Sequence, residues 1–191
     1  MPMKNTKTNN LESEGRSSFK ILMSENFIQP TVQLITGDRS MSYDSLIKDA
    51  LKAIPKQLIS DFETLVVRIV DIEESRDFNN RFRGINRATN VLAFLNGCSL
   101  FSLPGHLGDI LICAPLILSE AESSGLRPAN HLTHLVIHGV LHLLGFDHDN
   151  EINGAIMENM EITILNQLGI SNPYGEQKSS GVEQCSATFT G

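Results

Sequence analysis

The stretch His138-Gly-Val-Leu-His142-Leu-Leu-Gly145-Phe-Asp-His148 constrains this chain most, because it fixes a helix face and the way that helix ends. His138 and His142 fall one helical turn apart and share a face. Gly145 has no β-carbon and can adopt the left-handed conformation that stops a helix and turns the chain back. Such a turn brings the third imidazole, His148, toward the first two. Three neutral imidazoles converging from a helix and its following turn form an open tetrahedral zinc site, with the fourth position left for water. The spacing therefore predicts a catalytic centre with His138, His142 and His148 as ligands and one zinc ion per chain.

The surrounding helix strengthens that expectation. Four of the six histidines, His131, His134, His138 and His142, lie between positions 131 and 142. At about 100° per residue they occupy an arc of roughly 80°. The other positions are mostly Leu, Val and Ile, so one imidazole stripe runs along a largely apolar helix. Burying those rings without partners is costly, which favours a metal or a polar cleft. For His131 and His134, a role beside the metal or along a substrate groove stands against simple exposure.

A chain of 191 residues fits one domain with extensions. Residues 1–26 are rich in Asn, Ser, Thr, Lys and Glu and read as a disordered or loosely ordered extension. Residues 175–191 read as a flexible tail, leaving 27–174 as the domain. The longest apolar run, Ile110 to Leu118, holds Pro115 and is far shorter than the ~20 residues that span a bilayer. No apolar stretch follows the N-terminal lysines, so a secretory signal is not expected. Cys98, Cys113 and Cys185 are far apart and odd in number, which fits neither a disulfide framework nor a paired-cysteine zinc motif. A reducing, cytoplasmic setting follows.

Strands are expected at Thr31–Ile35, Leu65–Val70, Thr89–Phe94 and Gly108–Ile112, where β-branched and apolar residues cluster. Helices are expected from near Ser42 to before Pro55, over Glu74–Phe82, after Pro115, over Ala129–Leu144, and over Glu151–Leu168 before Gly169. The fold class is α+β: a single domain in which helices flank a small mixed β-sheet, with the zinc site on a helix and its following turn.

A net charge of −7 argues mildly against generic nucleic-acid binding, but distribution matters more than the total. Arg76, Arg81, Arg83 and Arg87 face only Asp77 in their stretch, a local excess of positive charge suited to an anion-binding cleft or to a solvated helix face.

Phe82-Arg83-Gly84, then Thr89-Asn90-Val91-Leu92-Ala93-Phe94, His131-Leu-Thr-His134, Leu107-Gly108-Asp109-Ile110 and Leu168-Gly169-Ile170 accompany the histidine motif. Together they resemble the YbeY family of endoribonucleases, also called rRNA maturation factors, over about Phe27 to Tyr174. Ala93 and Leu95 stand where that family commonly has Ser and Pro, and Phe146 replaces its usual Tyr. The resemblance implies a single-strand-specific, metal-dependent endoribonuclease acting on ribosomal RNA precursors near the small-subunit 3′ end and in ribosome quality control. It also implies that the functional arginine is Arg83 and the metal ligands are His138, His142 and His148. Single-stranded RNA, the rRNA precursor and the ribosome are then the partners, with a ribosomal protein or GTPase as a further candidate and neither DNA nor membrane.

The chemistry suits that expectation. Zinc lowers the pKa of water and acts as a Lewis acid on a phosphoryl oxygen, while a guanidinium clamps phosphate with permanent charge. Asp147 and Asp109 are candidates to orient an imidazole through its second nitrogen; a turn-forming Asp and a solvent-facing strand Asp are the plainer alternatives. The sequence identifies no general base. Two other functions compete. The spacing HxxxHxxGxxH coincides with that of the metzincin proteases, whose catalytic Glu follows the first histidine, but here that position is Gly139. A ribosome-binding protein with a structural zinc would need a fourth ligand, for which His134 is the nearest candidate in the stripe.

Overall fold

The computed structural model describes residues 28–96 and 103–175. In chain order these form β1 (Gln29–Leu34), α1 (Tyr43–Ala53), α2 (Lys56–Ile59), β2 (Thr64–Val70), α3 (Ile72–Arg83) and β3 (Val91–Leu95). There follow β4 (His106–Cys113), α4 (Ala114–Ser123), α5 (Pro128–Leu143) and α6 (Glu151–Gln167). The four strands make one mixed sheet in the order β1-β2-β4-β3. β1 and β4 run parallel to β2, and β3 runs antiparallel to β4. This is the expected α+β architecture of helices around a small mixed sheet.

Alternation along the strands divides the sheet into two faces. Leu65, Val67 and Ile69 of β2 join Ile110 and Ile112 of β4 on the face that packs against α5, and all are essentially inaccessible. On the opposite face Val70, Leu92, Leu111 and Cys113 form a smaller core with Phe78 of α3 and Phe94. α5 is the hub, touching α1, α4, α6, β3 and β4. Its Leu132, Val136, Ile137, Val140 and Leu141 are fully buried. Each such side chain contributes about 1.5–3 kcal/mol of burial, so the helix carrying the histidines is rigidly seated.

That seating depends on Gly139. A β-carbon there would lie 3.0 Å from Ile110 Cδ1 and 3.3 Å from its Cγ2, so the missing side chain lets α5 settle onto β4.

Boundaries differ from the sequence expectations for local reasons. Thr89 was expected to begin a strand, but its N–H and C=O both bond Ser75 Oγ of α3, at 3.0 and 2.7 Å. The ladder therefore starts at Val91. α3 begins two residues early because the Asp71 carboxylate accepts from Glu74 N at 2.9 Å and caps it. α2 was not foreseen: four residues after Pro55, with only Ile59 buried, leave no periodicity to read. Cys113 is a buried free thiol. Cys98, Cys185, the expected extension 1–26 and the tail beyond Gly175 lie outside the described residues.

Candidate metal centre

α5 presents His131, His134, His138 and His142 along one stripe and then ends as the sequence requires. Gly145 takes φ 90°, its N–H reaches His142 O at 3.0 Å, and Phe146 N reaches Leu141 O at 3.0 Å. The chain reverses through this turn and enters α6 at Asn150, whose side chain accepts from Asn153 N at 2.9 Å. Between the two caps, His148 is carried back over α5, its backbone N–H held by Asp147 Oδ1 at 2.7 Å.

The three expected ligands are thereby brought together. One donor nitrogen from each of His138, His142 and His148 lies within 4.8 Å of the others. Ring centroids are 4.6 Å apart for His138 and His142, 5.3 Å for His138 and His148, and 5.4 Å for His142 and His148. Nε2 of His138 and Nε2 of His142 are 3.2 Å apart. Two nitrogens bound to a tetrahedral zinc at about 2.0–2.1 Å would lie roughly 3.4 Å from each other. The donor set thus fits such an ion in both chemistry and spacing. Burial first, then the neighbouring His138 ring, push His142 below the ordinary histidine range, which favours the neutral ring a metal needs.

Nothing in the sequence spacing of Glu158 or Glu161 points at the metal, yet Glu161 organises this centre. Glu161 of α6 is completely buried. Its Oε1 accepts from His138 Nδ1 at 2.9 Å, and its Oε2 accepts from His134 Nε2 at 2.7 Å and from the Tyr174 hydroxyl. Burial alone would raise this carboxyl, but the bonds from His134, His138 and Tyr174 outweigh it and hold it down at about 2. With its proton committed to Glu161 through Nδ1, His138 keeps a lone pair on Nε2, facing His142. A carboxylate behind a histidine in this way fixes ring orientation and raises ligand basicity. Glu161 also engages Nε2 of His134, so that histidine does not join the triad as a fourth ligand. Among the described residues, His138, Glu161 and His134 form the second cluster of metal-binding side chains, and its members are spent on one another.

The other candidates sort as follows. His131 bonds Glu120 Oε2 at 2.7 Å, away from the triad. Asp109 does not orient a triad ring; it lies on the other face of the sheet and bonds His106 Nε2 at 3.2 Å. Asp147 stands 3.8 Å from His142 Nδ1, an ion-pair separation rather than a hydrogen bond.

Arg83, the last residue of α3, lines the same cleft as His138 and His142, a space of about 370 Å³. Ala93, Leu95, Phe146 and Asp147 complete the walls near it. The guanidinium is exposed and, among the described residues, has no carboxylate partner. The remaining arginines of the run go elsewhere: Arg81 lies over the Phe82 ring at 5.5 Å, and Arg76 and Arg87 line a separate groove beside Glu120. All three departures from the YbeY pattern noted in the sequence, Ala93, Leu95 and Phe146, thus sit on the wall of this cleft.

A family model described as Endoribonuclease YbeY matches residues 32–169, which include Arg83, the three clustered histidines and Glu161. The chain belongs to the YbeY family. The protein named Endoribonuclease YbeY from Colwellia psychrerythraea is 42% identical over 136 residues, covering 69% of this chain and 84% of its own length. Its namesake from Ruthia magnifica is 38% identical over 144 residues, covering 75% of this chain and 98% of that one. A solution structure of a Thermotoga maritima protein is 23% identical with a TM-score of 0.49, covering 79% of this chain and 99% of that chain.

Proposed function

We propose that this YbeY-family chain is a zinc-dependent endoribonuclease specific for single strands, acting on ribosomal RNA precursors in small-subunit 3′-end maturation and ribosome quality control. The observation that carries the proposal is the cleft itself: an exposed guanidinium with no carboxylate partner among the described residues, lining the same space as imidazoles whose donor atoms converge. His138, His142 and His148 would hold the ion. When bound, zinc supplies Lewis acidity, which lowers the pKa of water and polarises a phosphoryl oxygen.

The chain's own side chains do the rest. Arg83 offers a planar, permanently charged fork that matches two phosphate oxygens and stabilises charge building on them during hydrolysis. Glu161 is a positioning residue, locking the tautomer of His138 through Nδ1. The negative charge of Asp147 favours the His142 tautomer with its proton on Nδ1, leaving Nε2 as the donor. Leu95, Phe146 and Val91 give the cleft apolar walls beside the arginine.

The metal cluster holds three donors among the described residues, with no cysteine joining it, which favours an open site over a closed structural one. Peptidase chemistry lacks its glutamate, since the position after the first histidine is Gly139, which packs against Ile110. We further propose that residues 27–174 form the working unit, in a cytoplasmic setting, with a ribosomal protein or GTPase helping an acidic chain engage RNA. Among the described residues, no helix is long and apolar enough to cross a membrane.

Replacing Arg83 by Glu tests the assignment. Metal content is expected to stay near one ion per chain, while cleavage of single-stranded RNA falls by at least about 10²–10³-fold, as when a transition-state donor is lost. Metal-loaded protein that cuts casein and spares single-stranded RNA would overturn the proposal, as would full RNase activity in the Arg83→Glu variant.

A further inference from the structure

β3 is an edge strand with a groove on each side. Val91, Ala93 and Leu95 face the metal cleft, whereas Phe94 faces a second groove of about 350 Å³ on the opposite side of the sheet. Phe78 and Phe82 of α3 line this second groove on the helix side, and its sheet side carries Gln33, Arg68, Phe94 and Asp109, the last two paired across the β3–β4 ladder. The rings pack on one another: Phe82 meets Phe94 edge-on at 4.8 Å and stacks on Phe78 at 5.8 Å. Yet Phe82 remains 48% exposed.

Phe82 immediately precedes Arg83, so the aromatic groove and the metal cleft adjoin across one step of backbone. Arg81 lies over the same ring, which places a guanidinium on each side of Phe82 along the chain. Cationic groups interleaved with accessible aromatic faces are the pattern that holds single-stranded nucleic acid, the charges following phosphates and the rings stacking bases. Asp109, paired with Phe94, adds base-edge chemistry: its side chain is 44% exposed, and beside the oxygen that bonds His106 Nε2 its carboxylate presents a second acceptor for exocyclic amino groups.

We propose that this groove is a nucleobase subsite, in which an unpaired base of the RNA stacks against Phe82 and Phe94 while a neighbouring phosphate is held by Arg83. The proposal rests on the endoribonuclease function of the metal cleft and explains its preference for single strands. A base in a duplex is already stacked and paired, and cannot enter; a base in a single strand is free to do so. Aromatic stacking also tolerates any base, with Asp109 favouring those that carry an amino group.

The chain contains no tryptophan, so Phe82→Trp installs a single fluorescent reporter. The probes are a six-nucleotide oligoadenylate and an abasic ribose-phosphate oligomer of the same length, added to the metal-loaded full chain and read before turnover. The expected result is quenching of the indole by oligoadenylate but not by the abasic oligomer. In cleavage assays, Phe82→Ala and Phe82→Leu should both raise KM for oligoadenylate roughly tenfold, Phe82→Trp should restore it, and metal content should not change. Wild-type protein that cleaves oligoadenylate while Phe82→Trp shows no quenching would overturn the subsite and leave the nuclease intact. So would a Phe82→Leu variant with wild-type KM, which would make Phe82 a packing residue. An emission shift that follows protein concentration alone would assign the groove to a second copy of the chain and also overturn the proposal. If wild-type protein neither binds nor cleaves RNA, the endoribonuclease assignment falls with it.

Discussion

Exchanging Glu161 for Gln changes almost no volume, yet it removes the charge on which three donors converge. In the native chain the carboxylate accepts from His138 Nδ1, His134 Nε2 and the Tyr174 hydroxyl, and it is completely buried. A carboxamide keeps one acceptor oxygen and turns an NH₂ toward at least one of those donors. Hydrogen bonds to a charged group are worth about 1.5–3 kcal/mol against about 0.5–1.5 for neutral pairs, and an unsatisfied buried donor costs about 1–3 kcal/mol. Weakening the retained bonds and orphaning one donor sums to about 3–5 kcal/mol, a large share of the roughly 5–15 kcal/mol that holds a domain folded. His138 also loses the partner that fixes its tautomer, so zinc affinity should fall about 10–100-fold. Urea unfolding of the metal-free protein measures the first effect; competition with a chromophoric chelator measures the second. A Glu161→Gln variant with wild-type zinc affinity and wild-type urea midpoint would refute the assignment of Glu161 as the organiser of the centre.

Two further perturbations probe the packing around the site and the fold's pH response. Gly139→Glu puts a metzincin-like carboxylate after the first histidine, but its β-carbon meets Ile110 Cδ1 at 3.0 Å. The expected outcome is a loss of about 1–3 kcal/mol of stability from overpacking and no gain of casein hydrolysis, checked by thermal unfolding and a protease assay. Burial, and then the hydrogen bond it donates to Asp38, push the Tyr43 hydroxyl from 10.0 up to about 12. Because the folded state favours the neutral phenol, this contribution is complete below pH 10 and is lost as pH rises toward about 12. Asp38→Asn should lower the Tyr43 midpoint in an ultraviolet absorbance titration and flatten that part of the alkaline unfolding curve.

Much of the metal centre was legible because its chemistry is local in sequence. His138 and His142 declare a helical face by their spacing, and Gly145 declares the turn that returns His148; both statements depend on a few adjacent dihedral angles. The role of Glu161 was not legible for the opposite reason. It lies on a different helix, nineteen positions after His142, and only the packing of α6 on α5 aims it at His138 Nδ1. Asp109 shows the same limit from the other side. The sequence left it open between orienting a metal-bound imidazole and facing solvent from a strand; strand alternation sends it to the far face of the sheet, where it meets His106. The strand segments could be read from β-branched runs, but their order β1-β2-β4-β3 comes from long-range pairing that no single segment encodes. The one retrievable signal for Glu161 was its position between Met157, Ile164 and Leu165, four before and three and four after it, on one apolar stripe of a helix. A carboxylate at such a position demands partners, and the histidine stripe is the nearest supply.

Titrating zinc into metal-stripped protein while following cleavage of a single-stranded oligoribonucleotide tests the central claim most directly. Activity should be absent at the start, rise in proportion to added metal and reach its plateau at one ion per chain, with His142→Ala remaining inactive throughout. Cleavage that survives complete removal of metal, or RNA left uncut at full occupancy, would contradict it.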